Sequence, residues 1–331
     1  MIAAGVIGRG AFPAAPRPEA LRRLTRVSNV GSAMGGRLGI HLAVNAWREA
    51  AVEAAERDAV RTADRIRAWA RLLTRFEQAS DLVALNDDPR EAVPVGPTLA
   101  ALLAWGIEAG RLTSGIVDIA LLDARLAAEA GAASTQRPGV IDGAAWSVLE
   151  TADGPVVVRP AGVRFDLDGV GKGWLADRAL ALLWRHPGVI VDADGDLAIQ
   201  VAPGDTWQIG IADPTRAGLD LAVVALHGSD VAPTRFGLAT SGTSVHRWQT
   251  DGRVGHHLID PRTGFSADTD VVQATVLAAT AREAEALAKT AVVLGSVTGL
   301  DFLDRSGVSG AVILTTGGER LALPGTLRWL A

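Results

Sequence analysis

The chain has 331 residues, 48% of them hydrophobic, which is enough for a buried core in one large or two ordinary domains. Its formal net charge of -5 comes from 32 basic and 37 acidic side chains that are interspersed, and this balance argues against a nucleic-acid partner. The absence of cysteine excludes disulfides, thiolate metal sites and cysteine nucleophiles.

No segment approaches the ~20 consecutive apolar residues that a membrane-spanning helix needs. The apolar N-terminus carries its first positive charge, Arg9, after the apolar run, whereas an export signal places it before. We therefore expect a cytoplasmic protein that is not an integral membrane protein.

Residues 1–30 are rich in proline, alanine and arginine, and Pro13, Pro16 and Pro18 interrupt any regular element. This composition predicts a loosely ordered lead-in over residues 1–30. No linker-like stretch divides the remainder, so we expect a single domain over residues 31–331.

The predicted elements begin with a strand over residues 38–44, where apolar residues alternate with others. A helix follows, with one apolar stripe formed by Ile66, Trp69, Leu73 and Phe76. A second helix is expected around residues 99–107, with Gly110 as its C-terminal stop.

The second half of the chain alternates more quickly between strand and helix patterns. Strands are predicted near residues 156–165, 189–191, 197–201, 208–211, 221–226 and 273–277, and helices over residues 174–184 and 281–294. Alternation without a regular repeat indicates an α+β fold of interwoven strands and helices.

The segment from Phe165 to Trp174 reads FDLDGVGKGW, which predicts a strand, a glycine-rich turn and a helix. Its three glycines allow a ligand to approach the backbone, and the helix N-terminus favours an anionic group such as a pyrophosphate. Lys172 adds a cation there. The glycine spacing matches neither a P-loop nor a dinucleotide fingerprint, and a purely structural role remains equally open.

A second segment places His256 and His257 before an Asp-Pro-Arg-Thr-Gly turn that ends at Gly264. Asp-Pro followed by glycine is ordinary turn chemistry. A histidine titrates near neutrality and can act as a base, although an isolated histidine more often has no such role. Two shorter segments, residues 113–118 and 240–242, are compatible with plain capping or turn structure when each is taken alone.

Taken in order, these segments resemble the family of FAD-dependent protein flavin transferases often called ApbE-like. The family shows Met-Gly, Ser-Glu-x-x-x-x-Asn, Thr-x-Gly-x-x-Asp, Asp-Leu-Gly-Gly-x-x-Lys-Gly, Thr-Ser-Gly, His-x-x-Asp-Pro-x-Thr-Gly and an acidic helix ending in Leu-Gly. The corresponding segments here are residues 34–35, 80–86, 113–118, 166–173, 240–242, 257–264 and 285–295. Seven elements in the family's order make the resemblance specific, and it implies an ApbE-like, T-fold-related architecture.

The resemblance implies that FAD is bound as a substrate, with its flavin ring near Met34. The other implied flavin-binding positions are Ile116, Val117, Asp118, Asp168, Lys172, Trp174, Thr240, Ser241, Gly242, Leu258 and Asp260. Lys172 is suited to the pyrophosphate. For Trp174, a role as a core anchor of its helix is an equally good interpretation.

The resemblance also implies a Mg²⁺ ion, held by the backbone carbonyl of Gly171 and by two side chains one helical turn apart. At those two positions the family has Asp and Thr, and this chain has Glu285 and Lys289. A protonated lysine cannot ligate a metal, so we expect Lys289 to lie near the ion, to occupy part of its place or to pair with Glu285. Activity is expected to need a divalent cation, at a higher concentration than an Asp and Thr pair would require.

The implied reaction moves FMN from FAD onto a Thr or Ser hydroxyl of an acceptor flavoprotein through a phosphoester bond and releases AMP. His257 is the candidate general base. Three alternatives stay open: a protein that only binds FAD, an FAD pyrophosphatase without protein transfer, and an interaction protein that keeps the fold without the site. The sequence does not identify the acceptor.

Overall fold

A computed structural model describes residues 24–45, 48–131, 146–250, 253–324 and 326. Within these residues the strands are β1 (Leu24–Ala33), β2 (Gly36–Asn45), β3 (Ala92–Pro94), β4 (Ser147–Thr151), β5 (Gly154–Val158), β6 (Gly188–Ala193), β7 (Asp196–Val201), β8 (Thr206–Ala212), β9 (Asp220–His227), β10 (Thr234–Gly242), β11 (Arg247–Thr250), β12 (Arg253–His256), β13 (Ile259–Asp260), β14 (Phe265–Ser266), β15 (Val271–Ala278), β16 (Gly310–Thr315) and β17 (Arg320–Ala322). The helices are α1 (Glu49–Leu73), α2 (Asp81–Asp87), α3 (Pro97–Leu112), α4 (Leu122–Glu129), α5 (Gly171–Leu182), α6 (Ala281–Leu294) and α7 (Ser296–Arg305).

Eight strands form one antiparallel sheet in the order β1-β2-β6-β7-β10-β15-β16-β17. The alternation predicted for residues 38–44 is confirmed by β2. Leu38, Ile40 and Leu42 point into the core beneath the helices, and Ala43 joins the core on the opposite face. The predicted α+β class with interwoven strands and helices is therefore confirmed.

Helices α1, α5 and α6 cover one face of the sheet: α1 lies against β1 and β2, α5 against β6 and β7, and α6 against β10 and β15. In α1, Ile66, Trp69 and Leu73 pack into the core as the helical stripe predicts. Phe76 does not, because α1 ends at Leu73 and leaves this ring 76% exposed. Gly110 is not a helix stop either, since α3 continues to Leu112.

The hairpin of β8 and β9 covers the other face of the sheet. Its apolar side chains, including Trp207 and Ile209, join Ile199 of β7 and Leu238 of β10 in a separate core cluster. The sheet is therefore buried on both faces, and successive side chains along its central strands point alternately into the two core clusters.

Two glycines allow α6 to approach its neighbours closely. A Cβ at Gly237 of β10 would lie 1.9 Å from the carbonyl carbon of Thr280, and one at Gly173 of α5 would lie 2.5 Å from the carbonyl oxygen of Ala281. Any larger residue would push the start of α6 away from β10 or α5. These contacts place the N-terminal turns of α5 and α6 side by side.

Other predicted boundaries also differ from the structure, among them the helix predicted over residues 174–184, which spans Gly171–Leu182. Strand β1 begins at Leu24, so residues 24–30 belong to the sheet, while residues 1–23 of the predicted lead-in lie outside the described residues. The strand predicted over residues 156–165 ends at Val158. Beyond it, the backbone of Phe165 pairs with the side-chain amide of Asn86 through hydrogen bonds of 2.8 and 2.9 Å, which replace a neighbouring strand.

Among the described residues, no helix combines the length and the apolar character that crossing a membrane requires.

Candidate active site

The glycine-rich segment forms an irregular turn that leads into α5. The predicted helix begins at Gly171, so Lys172 and Gly173 lie in its first turn. The N–H of Gly173 donates to Oε2 of Glu285 at 2.9 Å, in a buried contact that joins α5 to α6. The predicted strand before this turn is wrong, because Phe165 lies in a loop.

Lys172 and Asp196 form an ion pair at the base of the site, with Nζ 3.5 Å from Oδ2. The Asp196 side chain is only 3% exposed, and the Lys172 side chain is 31% exposed. The Asp196 carboxylate raises the pKa of Lys172, which keeps the ammonium charged. Burial raises the pKa of Asp196, which also accepts a hydrogen bond from the backbone N–H of Thr240.

Two-residue turns of neighbouring hairpins form one side of the site. Met34 and Gly35 connect β1 to β2 with positive φ angles of 54° and 73°, and Asp194 and Gly195 connect β6 to β7 with 59° and 96°. Positive φ at both central residues is the geometry of a type I′ turn. The Asp194 carboxylate accepts a hydrogen bond from the N–H of Arg37 at 3.1 Å, which ties the two turns together.

A cavity of about 630 Å³ opens between these turns and α5. Among the predicted site residues, its walls include Met34, Asp168, Gly171 and Lys172. The additional cationic side chains in its walls are Arg67, Arg71, Arg75 and Arg125. Its volume lies within the range of about 300–1,000 Å³ typical of sites for cofactor-sized ligands. The basic side chains suit a ligand that carries phosphates.

A smaller space of about 20 Å³ adjoins this cavity, and Arg125, Asp166 and Asp168 line both. The remaining predicted residues in its walls are Ile116, Asp118, His257 and Lys289. The structure therefore brings together residues from four separate motifs. Burial raises the pKa of Asp118.

His257 faces this small space with a neutral ring. Burial, followed by the positive charges of Arg125 and Lys289, lowers its pKa to about 2. Its Nδ1 is buried without a hydrogen-bond partner among the described residues, and its carbonyl accepts a hydrogen bond from Nη1 of Arg125 at 3.0 Å. A neutral ring can accept a proton, and a phosphate anion bound beside it would raise its pKa toward the range of an effective base.

Other predicted residues lie around the cavities without lining them. The side chains of Val117, Trp174 and Leu258 are buried in hydrophobic clusters. For Trp174 this placement favours the interpretation as a core anchor. Asp260 accepts hydrogen bonds from the Arg262 side chain and orders its turn.

The Thr-Ser-Gly segment forms the end of β10. The Thr240 hydroxyl is 2.9 Å from the hydroxyl of Thr275 on β15, and Ser241 and Gly242 pair with that strand. These three residues contribute backbone to the floor beside Asp196 and do not line either cavity.

The residues at the expected metal position do not fit a magnesium ion. Magnesium requires near-octahedral oxygen ligands, yet Glu285 is already an acceptor for Gly173, and Lys289 offers an ammonium. Burial raises the pKa of Glu285 to about 8, which favours its neutral acid. Within the part of the chain that the structure describes, no three Asp, Glu or His side chains form a metal-binding group.

Sequence reasoning missed Arg125, Asp194 and Asp196 as parts of the site. Arg125 of α4 is 8% exposed, binds Glu129 at 2.7 Å and lies 3.7 Å from Asp168. No motif marks Arg125, and only the fold brings it to His257. The two aspartates follow β6 in an Asp-x-Asp-Gly-Asp stretch. Aspartate and glycine favour turns, and this composition was the sequence signal that could have drawn attention to them.

Comparison with known proteins agrees with this arrangement. The sequence profile of the ApbE family matches residues 34–313. An FAD:protein FMN transferase of Salmonella typhimurium is 27% identical over 272 residues, which cover 74% of this chain and 73% of that protein. One from Treponema pallidum is 35% identical over 152 residues, which cover 42% of this chain and 40% of that protein.

The crystal structure of the ApbE protein from Thermotoga maritima has the same fold. Its TM-score to this structure is 0.74 at 22% sequence identity, and the superposition covers 93% of this chain and 100% of that one. The family match spans most of the chain and includes every predicted site residue that lines the two cavities. This protein therefore belongs to the ApbE family.

Proposed function

We propose that this protein transfers FMN from FAD to a threonine or serine hydroxyl of an acceptor protein. The observation that carries the proposal is the junction of the two cavities, where the basic wall beside Lys172 meets the neutral imidazole of His257. Relatives in the family are FAD:protein FMN transferases, which supports FAD as the substrate of this chain as well.

In the proposed reaction, the acceptor hydroxyl oxygen attacks the FMN-side phosphorus of FAD. A phosphoester bond forms, the bond from that phosphorus to the bridging oxygen breaks, and AMP leaves. His257 takes the hydroxyl proton, and a positioned base contributes about 10² to 10⁴ in rate. Lys172 and the helix N-terminus of α5 stabilise the negative charge of the pyrophosphate. We derive no step through a metal ion.

The residues around His257 position this base. Arg125 holds the His257 carbonyl at 3.0 Å, and the ring of His246 lies 5.2 Å from the His257 ring in an edge-to-face arrangement. These contacts fix where the imidazole points. Nδ1 is buried and has no hydrogen-bond partner among the described residues, so we assign the hydroxyl proton to the ring without relying on that atom's exposure.

The test combines the purified protein with FAD and a flavin-carrier domain. The family resemblance implies that such a domain carries a short segment around its modified Thr or Ser, often Asp-x-x-Ser/Thr-Gly-Ala-Thr. We expect in-gel flavin fluorescence on the carrier, and none on a carrier whose hydroxyl residue is replaced by alanine. Release of FMN and AMP without labelled carrier would instead identify an FAD pyrophosphatase and refute the proposed transfer.

A further inference from the structure

We propose that the ammonium of Lys289 is a built-in cation that takes the place of a divalent metal ion at the pyrophosphate of FAD. This inference rests on the proposed function, because it assumes that FAD is the ligand of the two cavities.

The first support is the misfit of the expected metal position. Glu285 directs Oε2 at the N–H of Gly173, 2.9 Å away, so this oxygen fastens α5 to α6. The next position on the same face of α6 is Lys289, whose side chain ends in an amine. Burial lowers the pKa of Lys289, while the nearby carboxylates of Asp166 and Asp168 oppose that shift and favour the ammonium. A divalent ion beside this ammonium would lose one ligand and meet a like charge.

The second support is where the ammonium lies. A Cβ at Gly169 would be 2.3 Å from Nζ of Lys289, so the ammonium rests directly on the glycine-rich turn. It shares the small space with Asp118, Asp168 and His257. Lys289 makes no hydrogen bond or ion pair with another described residue. Its donors are therefore available to a ligand.

The third support is the distribution of lysine. Of the 32 Lys and Arg residues in the chain, only Lys172 and Lys289 are lysines, and both lie at this site. Everywhere else the chain uses arginine. An ammonium is a compact point charge with rotatable donors, whereas a guanidinium is a wide planar fork. The ammonium of Lys289 lines the small space directly, where a guanidinium would need more room.

The charges around the site explain why a fixed cation is needed. The small space is lined by three aspartates, Asp118, Asp166 and Asp168. A pyrophosphate that approaches them meets repulsion, which a nearby positive charge offsets. Lysine is a common phosphate ligand and acts there as a point charge. Lys289 from α6 and Lys172 from α5 would hold the pyrophosphate from two sides.

The test measures the affinity for FAD by quenching of flavin fluorescence, in EDTA and in millimolar MgCl₂, with riboflavin as the ligand that lacks phosphates. We expect the wild-type protein to bind FAD equally well in both buffers. The Lys289→Thr variant should bind FAD about 10- to 100-fold more weakly in EDTA, the range for loss of one hydrogen bond to a charged group. Magnesium should restore part of that loss, and riboflavin affinity should not change.

Two further variants distinguish an effect of the Lys289 charge on FAD affinity from an effect on the stability of the fold. Gly169→Ala keeps the lysine but displaces the end of its flexible side chain, and it should weaken FAD binding in EDTA without lowering the melting temperature. Arg305→Thr removes an exposed positive charge from α7 and should leave FAD affinity unchanged.

A second measurement uses the fact that the chain has only two lysines. Free amines are acetylated and the modified lysines are identified by mass spectrometry. Lys289 should be acetylated more slowly in the presence of FAD than in its absence. Riboflavin should give no such protection at Lys289.

The inference is overturned if EDTA weakens FAD binding by the wild-type protein about 10-fold or more, or if Lys289→Thr binds FAD as the wild type does. Failure to bind FAD in every buffer would overturn the proposed function together with this inference. FAD binding that requires magnesium would overturn this inference alone.

Discussion

Replacing Lys172 with methionine tests the buried ion pair at the base of the site. The variant removes the cation from Asp196, a side chain that is 3% exposed and has no other cation within ion-pair distance among the described residues. Removing one partner of a buried pair costs about 3–5 kcal/mol, because the remaining charge stays buried and uncompensated. Lys172 is 31% exposed, so we expect the lower end, about 3 kcal/mol at pH 8.

The cost should depend on pH in a defined direction. Burial raises the folded-state pKa of Asp196 above the ordinary value of an aspartate, and loss of Lys172 raises it further. A group with a raised folded pKa contributes stability that is present at low pH and is lost as the pH rises above its unfolded pKa. The destabilisation of Lys172→Met should therefore be smaller at pH 5 than at pH 8.

The assay is urea unfolding of wild type, Lys172→Met and Lys172→Met/Asp196→Asn at pH 5, 6.5 and 8. The double variant removes both charges and keeps an acceptor for the Thr240 N–H, so it should recover most of the lost stability. It should still transfer FMN more slowly than the wild type, since one of the two ammonium groups proposed to hold the pyrophosphate is gone. A destabilisation below about 1 kcal/mol at pH 8, as for an exposed pair, would refute the reasoning, as would no recovery in the double variant.

Three further predictions concern single positions. Gly173→Ala should lower the free energy of unfolding by about 2 kcal/mol, because its Cβ would lie 2.5 Å from the Ala281 carbonyl oxygen, and unchanged urea unfolding would contradict the close approach of α5 and α6. His257→Ala should slow transfer by about 10²- to 10⁴-fold and spare FAD binding, whereas His256→Ala, which loses a hydrogen bond to Ala267, should lose stability and keep the rate per folded molecule. Equal losses of rate in both histidine variants would remove the role assigned to His257. Burial lowers the pKa of His41 to about 4, and the unfolded chain takes up a proton below pH 6.5. The wild type should therefore lose about 3 kcal/mol relative to His41→Gln as the pH falls from 6.5 to 4, and parallel stability curves would show that His41 is not buried in its neutral form.

Sequence periodicity predicted the elements whose residues all follow one pattern. Helix α1 buries one continuous stripe, and the larger apolar residues of β2 all lie on the face toward the helices, so Ile66 and Ile40 were placed correctly. Periodicity failed where an apolar residue lies beyond the end of its element. Phe76 keeps the helical spacing but follows the last turn of α1 and is exposed.

The strand predicted over residues 156–165 extends too far toward Phe165 for a different reason. Its backbone is satisfied by the side chain of Asn86, and Arg159 donates to the carbonyls of Leu85 and Asp88. Side-chain groups from distant residues therefore replace strand pairing. No local pattern records such contacts.

The sequence predicted which motifs belong to the site, but it did not predict how their residues are arranged in space. The resemblance named Asp168, Lys172 and His257, which line the two adjoining cavities. It could not name Arg125, whose place beside His257 depends on how α4 packs. Nor could it decide what Lys289 does, because that depends on the distance from its ammonium to the turn at Gly169.

The central proposal is the transfer of FMN to a hydroxyl of another protein, and intact-mass measurement of the carrier tests it most directly. After incubation with this protein and FAD, the carrier should gain the mass of one FMN phosphoester, at the Thr or Ser of its motif, with an equal amount of AMP released. A carrier of unchanged mass while FAD is bound, or is cleaved to free FMN and AMP, would contradict the proposed transfer.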